Sequence, residues 1–539
     1  MQRRLKHWGW GYEDQQPSLE EQRAAAAFLT ERLGFGSAEP EPPAPLPALP
    51  APRLRVPPGL AEICSATDYD RALHSYGRSY RDVVRAFRGR FDHLCDAVAR
   101  PRDEREVQAV LDWALSSDSA VIPYGGGTSV VGGVEPALCS GRYAGVVTID
   151  LKALDRVLEV DSSSLAARIQ AGATGPRLEA QLSEHGLTLR HYPQSFEFST
   201  LGGWIATRAG GHFATLLTHI DDLVESVRAV TPAGVWESRR LPGSGAGVSP
   251  DRLLIGSEGT LGLITEAWVR VRPRPRHRAS AGVRFGDFGS GAEAVREIVQ
   301  SGLHPAGCRL IDAAEAAVTG AGDGSHALLV LGFESPAHDV EPSMRLALAC
   351  CREHGGEWER RDGARQEDRG AAGDGGRGGE AVSGWREAFL RAPYLRDTFI
   401  AIGVLSETFE TAITWERFPA FHAAVTERVS AAVREVCGAG SLTCRFTHVY
   451  PDGPAPYYTV LAPARRGEEL DQWAQIKQVA ADTVIEQGGT ITHHHAVGRD
   501  HRPWYDRQRP DPFAAALAGA KAAVDPAGAL NPGVLIDPR

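Results

Sequence analysis

Residues 123–133 read Pro123-Tyr124-Gly125-Gly126-Gly127-Thr128-Ser129-Val130-Val131-Gly132-Gly133, directly after the short apolar strand signal Ala120–Pro123. Consecutive glycines let backbone N–H groups approach a phosphate with no Cβ in the way, and Thr128 and Ser129 add hydroxyl donors. The dinucleotide spacing G-x-G-x-x-G fails because Val130 stands where the third glycine belongs, and no Walker A sequence occurs. The stretch predicts a phosphate cradle of another kind at the end of a strand.

Three segments further on have the same character. They are Pro193-Gln194-Ser195-Phe196-Glu197-Phe198-Ser199, then Thr207-Arg208-Ala209-Gly210, then Glu258-Gly259-Thr260-Leu261-Gly262-Leu263-Ile264. Each sets small residues and hydroxyls beside apolar sequence, as backbone-mediated cofactor binding needs. Around them helix and strand signals alternate: helix over Glu104–Leu115 and Leu178–His185, strand over Val146–Leu151, Leu223–Thr231 and Ala267–Val271. The mixture predicts an α+β chain without a simple βαβ repeat.

At 539 residues the chain is too long for one domain, and its 42% hydrophobic and 23% charged residues are those of an ordinary globular protein. A net charge of -10 argues against nucleic acid as the main partner. No run of eighteen apolar residues occurs, and the polar start Met1-Gln2-Arg3-Arg4 leads to a cytoplasmic expectation. The eight cysteines form no C-x-x-C pair, so neither disulfides nor a zinc site is expected. Ser18-Leu19-Glu20-Glu21 is a capping box opening a helix to about Leu33, and 37–58 is a Pro-rich connector. Asp362–Gly384, rich in Gly, Arg, Asp and Glu, is expected to be a mobile surface insertion.

The order and spacing of the four segments resemble the flavin-binding domain of the vanillyl-alcohol-oxidase family. That resemblance implies a two-subdomain PCMH-type FAD-binding domain with an α+β cap for substrate. The expected divisions are 1–60 (helical extension and linker), 61–277 (FAD-binding), 278–500 (cap, with the insertion) and 501–539 (return to the FAD domain). The first loop would hold the FAD pyrophosphate, the second and third would line the flavin, and the fourth would lie near the adenine half. Several relatives attach FAD through a histidine near the first loop; here Tyr124 precedes the glycines and no His lies between 96 and 184, so non-covalent FAD is expected.

Two sub-families share that domain. Flavin D-2-hydroxy-acid dehydrogenases carry a metal-ligating H-x-x-x-D-G-x-x-H and a later G-E-H-G. This chain reads His448-Val449-Tyr450-Pro451-Asp452-Gly453-Pro454-Ala455-Pro456-Tyr457, with Pro456 and Tyr457 where the second His would be. Tyrosine, with a reference pKa of about 10, is a poor metal ligand but a proton donor or acceptor where cations assist. Further on stands His493-His494-His495, with His494 in the place of the dehydrogenases' Glu. As a strand, His493 and His495 would share one face and His494 the other, so no metal is expected there.

A tyrosine followed by three histidines resembles the alkyl-dihydroxyacetone-phosphate synthases. So do Trp8-Gly9-Trp10-Gly11-Tyr12, Pro305–Asp312, Tyr394-Leu395-Arg396-Asp397 and Glu407-Thr408-Phe409-Glu410-Thr411. In an Arg-rich chain a single arginine says little, but two stand in matched contexts: Arg309 beside the flavin and Arg396 on substrate phosphate. The resemblance implies Tyr457, His493, His494, His495 and Arg309 as catalytic residues and Arg396 as substrate-binding. The reaction it implies exchanges the acyl group of acyl-dihydroxyacetone phosphate for a fatty alcohol, in ether-lipid synthesis, with flavin as covalent catalyst and no net oxidation. A lipid phosphate and a fatty alcohol would be the partners, with a homodimer and peripheral membrane contact through the N-terminal helix as further expectations. The sequence departs from the synthases at Ala496, where they carry Gly, and ends on Asn531-Pro532-Gly533, commoner in the dehydrogenases. FAD-linked oxidation of a 2-hydroxy acid is therefore the alternative.

Overall fold

A computed structural model describes residues 3–36, 39–137, 139, 141–358 and 393–537; the expected insertion 362–384 lies outside them. Strands β3 (Ser119–Tyr124) and β4 (Gly145–Asp150) are largely apolar and almost wholly buried, and they pair in parallel in the first sheet, with β3 at its edge. Such runs need cover on both faces. The helix Glu104–Ser116, N-capped by Asp103, supplies one cover with Val107, Val110, Leu111 and Ala114. β2 (Ala97–Ala99) joins β4 in parallel, and β1 (Cys64–Ser65) closes the edge antiparallel. Beyond the free edge of β3 the C-terminal return adds its own backbone: Val121 donates to Ala529 and Asn531 donates to Val121, each at 2.8 Å.

The second sheet is antiparallel, ordered β5 (Val157–Asp161), β6 (Ala166–Gln170), β10 (Leu263–Arg270), β8 (Val224–Thr231), β9 (Gly234–Glu237). A short ribbon, β7 (Leu187–Thr188) with β11 (Arg272–Pro273), lies apart from it. β10 begins four residues before the expected Ala267, because Leu263 and Ile264 already pair with Val230 and Ala229. The helix expected over Leu178–His185 runs Gly175–Ser183, with Pro176 in its first turn.

The third sheet is built from 277–463 and ordered β12 (His277–Phe285), β14 (Ala327–Ser335), β13 (Gly307–Ile311), β16 (Ser441–Val449), β17 (Pro454–Pro463), β15 (Val404–Glu410), antiparallel throughout. Its period-two alternation positions the site. Cys444, Phe446, Tyr458, Val460, Leu405 and Phe409 point into a core shared with the helices Phe288–Gln300, Phe418–Cys437 and Glu469–Glu486. Their neighbours Thr443, Arg445, Tyr457, Thr459, Ser406 and Thr408 line a cavity instead. A register shift between Phe446 and His448 brings both Thr447 and His448 to the cavity side.

The amino-terminal helix runs Leu19–Leu33 with the expected Ser18–Glu21 capping box, and packs Ala26 and Leu29 against Ile402, Val404 and Leu461 of the third-sheet unit. Ahead of it, buried Lys6 pairs with buried Asp397 at 3.0 Å, and the Trp10 N–H donates to the same carboxylate. The approach is so close that a Cβ on Gly9 would sit 2.4 Å from Asp397 Oδ2. No helix among the described residues is long and apolar enough to cross a membrane, and the eight cysteines are free.

Breaking a buried pair by removing one partner leaves an uncompensated charge and costs about 3–5 kcal/mol. Asp397→Ala is expected to lose stability on that scale in urea unfolding, and the double change Lys6→Met with Asp397→Leu to lose distinctly less. Equal losses would show that the pair is not what ties the amino terminus down.

Candidate active site

Between the first two sheets and the third lies a cavity of about 840 Å³. The glycine loop enters it from the end of β3, packed on the segment 198–200. A Cβ on Gly126 would lie 2.0 Å from the Phe198 carbonyl oxygen, and Gly127 takes φ +65° with its Cβ position 1.9 Å from the Tyr124 hydroxyl. Only glycine satisfies both the contact and the backbone angle. Pro123, Tyr124, Gly125, Gly126, Gly127, Thr128 and Ser129 all line the cavity, as do Pro193, Gln194, Ser195, Ser199, Thr207, Ala209, Gly210, Glu258, Gly259, Gly262 and Ile264.

The remaining members of those segments sit off the wall, each for a visible reason. Phe196 stacks near-parallel on Trp204, Glu197 accepts from the Tyr394 hydroxyl, and Phe198 packs against Tyr12 and Tyr394. Arg208 pairs with Asp221 at 2.8 Å, and Thr260 turns its hydroxyl to the Ser257 carbonyl. Leu261 and Leu263 are core residues. Glu258 occupies a buried junction with the carboxy-terminal half, accepting the N–H groups of Val497 and Gly498 at 2.8 and 2.9 Å. Burial pushes its carboxyl up to about 7 against those amides and Arg499. Its carbonyl accepts from Asn531 Nδ2 at 2.7 Å.

The opposite wall is the polar face of the third sheet. Tyr457 in β17 lies in register with Glu410 in β15 on one side and Arg445 in β16 on the other. The His493–His495 stretch is not a strand. Glu410, 1% exposed, draws it into a tight turn by accepting the backbone N–H groups of His493, His494 and His495 at 2.6, 3.2 and 3.0 Å, with the Thr492 hydroxyl at 2.6 Å. Burial opposes ionisation of this carboxyl, yet the imidazoles and Thr492 hold it well below the usual range. The turn closes through Ala496 at φ +73°, a left-handed angle that favours glycine.

As a result the triplet divides differently from the strand expectation. His494 and His495 line the cavity beside Tyr457, ring centroids 6.1 and 5.5 Å away. His493 faces backward, its Nε2 2.7 Å from the Tyr450 hydroxyl, which lies 3.1 Å from Thr218 Oγ1. Burial holds the His493 and His495 imidazoles well below their ordinary value, and lowers that of His494. The expected absence of a metal site rests on the cysteine spacing, on Tyr457 in place of a second ligating His and on the triplet taken as a strand. His448 joins His493 and His494, however, so that three ring nitrogens lie within 4.8 Å of one another. Two of these rings carry other contacts: His448 Nε2 lies 3.0 Å from the Gly211 carbonyl oxygen, and His493 Nε2 faces Tyr450.

Arg309 and Arg396 both reach the cavity, donating to the His212 carbonyl at 2.9 Å and the Arg78 carbonyl at 2.5 Å. Ala25, Phe28 and Leu29 of the amino-terminal helix, with Val318, Leu395 and Phe399, add apolar lining to the same cavity. Reasoning from sequence assigned no role to Glu410, Tyr450, His448, Arg445, Glu315 or this lining. The alternation Thr443-x-Arg445-x-Thr447 was the available signal for a polar face in an otherwise apolar hairpin.

Comparison with known proteins agrees with this architecture. Residues 95–238 match the family described as FAD binding domain, and 274–535 that described as FAD linked oxidases, C-terminal domain. The alkyldihydroxyacetonephosphate synthase of Trypanosoma brucei brucei is 30% identical over 87% of this chain and 77% of its own length, and that of Caenorhabditis elegans 31% over 87% and 80%. The chain belongs to the alkyldihydroxyacetonephosphate synthase/FAD-linked oxidase family. Glycolate oxidase subunit GlcD of Bacillus subtilis is more distant, at 25% identity over 82% of this chain and 89% of its own. A solved alkyldihydroxyacetonephosphate synthase structure shares the fold, with a TM-score of 0.78, 24% identity and 98% of each chain covered.

FAD is the cofactor, held non-covalently. The residues present fit it: a Cβ-free loop of backbone donors, hydroxyls at 128, 129, 195 and 199, and a glycine-walled slot. Gly126→Ala forces the loop off Phe198, an overpacking worth about 1–3 kcal/mol. FAD affinity is expected to fall about 10- to 100-fold, read as flavin absorbance per protein; unchanged content would remove the loop from the cofactor site. Glu410→Gln sets an amide against the N–H groups it now accepts. Amide hydrogen exchange at 493–495 is expected to quicken about 10- to 100-fold, the loss of a charge-assisted bond, and unaltered protection would show that the turn holds itself.

Proposed function

We propose that the chain exchanges the acyl group of an acyl-dihydroxyacetone phosphate for a long-chain alcohol and releases the fatty carboxylate. The observation that carries this reading is one cavity that sets Tyr457 beside His494 and His495 and also has an apolar wall from Ala25, Phe28 and Leu29. An alkyl chain needs such a wall, and a small 2-hydroxy acid does not. The activity for which the trypanosome and nematode relatives are named supports the same reading.

The bond from substrate C1 to the acyloxy oxygen breaks and a bond from C1 to the alcohol oxygen forms, so no electrons are gained or lost overall. When bound, FAD supplies an electron-accepting ring able to exchange bonds without net oxidation. Tyr457 takes the C1 proton and returns it. Neutral imidazoles at 494 and 495 receive the proton that the alcohol gives up, and His493 passes it to Tyr450 and away from the cavity. Because the His448 and His493 Nε2 atoms face Gly211 and Tyr450, we read this cluster as proton-handling and not metal-binding. Arg396 holds the substrate phosphate, and Arg309 orients groups beside the cofactor and steadies developing negative charge.

Purified yellow protein given palmitoyl-dihydroxyacetone phosphate and labelled hexadecanol is expected to yield a phosphate-bearing ether with one fatty acid released per product and no electron acceptor consumed. Tyr457→Phe is expected to keep its FAD and lose about 10²- to 10⁴-fold in rate. Absence of product from FAD-replete protein, with bleaching of the flavin by a 2-hydroxy acid, would replace this reading with the oxidoreductase one.

A further inference from the structure

The register row Glu410–Tyr457–Arg445 gives Tyr457 a charged neighbour on each adjacent strand, and the two are differently engaged. Glu410 is committed to the backbone N–H groups of 493–495 and to the Thr492 hydroxyl. Arg445, 8% exposed, lays its guanidinium over the Tyr457 ring, Cζ 3.9 Å from the centroid. A cation there attracts the electron-rich ring face, and far more strongly the phenolate than the phenol.

Arg445 is fixed from behind. Its Nη1 donates to Glu315 Oε1 at 2.7 Å, while Thr443, two residues back on β16, donates to Glu315 Oε2 at 3.3 Å. Glu315 stands on the helix Ala313–Val318, whose N-cap Asp312 accepts the Cys444 N–H at 2.5 Å and so ties that helix to β16. Glu315 is 4% exposed, and Arg445, Glu315 and Tyr457 all border the cavity. The charged and titratable groups facing Tyr457 are thus Arg445 from β16, Glu410 from β15, and His494 and His495 from the turn, with Glu315 behind the guanidinium.

We propose that the Glu315–Arg445 pair is a positioning device for Tyr457, with Arg445 fixing the ring and favouring loss of the phenolic proton and Glu315 moderating that charge. This rests on the reading of Tyr457 as proton acceptor. The two members of the pair act in opposite directions on the phenol. Removing the cation, as in Arg445→Met, makes the phenolate less stable, so the hydroxyl gives up its proton at higher pH. Removing the carboxylate, as in Glu315→Gln, leaves the cation less compensated, so the proton leaves at lower pH. A purely structural pair would loosen the ring in either variant and shift both the same way, or neither.

The test uses FAD-loaded protein and no substrate. Phenolate absorbance near 295 nm is titrated for each protein and for the same protein carrying Tyr457→Phe, and the difference isolates the one tyrosine. The expected result is at least a tenfold rise in the phenol's proton affinity in Arg445→Met and a fall in Glu315→Gln. Arg445→Lys, which keeps the charge without the planar fork, is expected to stay nearer the unaltered protein than Arg445→Met. Should Arg445→Met fail to fold, the sign of the Glu315→Gln shift decides. Shifts of the same sign, no shift in either, or a rise in Glu315→Gln would overturn the proposal. Opposite shifts in a protein that makes no ether product would uphold the pair and overturn only the proposed reaction.

Discussion

One buried carboxylate organises the histidine-bearing side of the cavity. Glu410 ends β15, and its carboxylate collects the amides of His493, His494 and His495 together with the Thr492 hydroxyl. A carboxylate is the one side chain with enough acceptor capacity for three consecutive N–H groups and a hydroxyl. The consequence is geometric. Three adjacent residues curled around a point present their side chains at about a third of a turn from each other, so two imidazoles reach the cavity and one reaches behind it. A strand would have given alternate faces and placed His494 away from His495. Ala496 closes the curl at a strained angle that the surrounding contacts impose.

The same carboxylate joins the turn to the sheet, since Glu410 is paired across the ladder with Tyr457. The distance between the tyrosine and the histidines is therefore set by strand register, which can slip only in steps of a residue and would then turn every side chain to the other face. Helices cover the apolar face of that sheet, so a slip would expose Phe446, Tyr458 and Val460. Core packing thus protects site geometry. Loops bring the cofactor side into place in a different way, through backbone contacts so tight that Gly126 has no room for a side chain.

These two modes explain what could be read from sequence and what could not. The glycine loop was legible because its signal is local: the residues that line the cavity there are neighbours in the chain, and their smallness is itself the signal. The amino-terminal helix was legible from its capping box, and Arg309, Arg396 and Tyr457 from short matched segments. Glu410 and Arg445 were not, because they pair with residues 12 to 85 positions away, and the order of the strands that bring them together is not written in periodicity. Leu263 and Leu261 misled in the opposite direction. They stand beside glycines in a cofactor-like segment, yet belong to a strand and its core. The turn at 493–495 was read as a strand because nothing within it announces a carboxylate arriving from β15.

The amino-terminal segment completes the cavity from outside both sheet systems. Its helix contributes Ala25, Phe28 and Leu29 to the apolar wall, and its leading loop is pinned by Lys6 to Asp397, one residue from the cavity arginine Arg396. The ion pair and the wall are therefore mechanically linked: whatever displaces the loop from Asp397 also disturbs Arg396 and the helix beside it. A buried pair is weak evidence for net stability, but removing one of its partners is costly because the other charge is left buried and uncompensated. Here it fixes a terminal segment, which would otherwise fray, as a structural wall of the site. The polar face of the cavity is thus set by sheet register, and its apolar wall by this buried contact together with the packing of Ala26 and Leu29 on Ile402, Val404 and Leu461. The segment between them, 393–401, carries both Arg396 and Phe399 and has to satisfy the two at once.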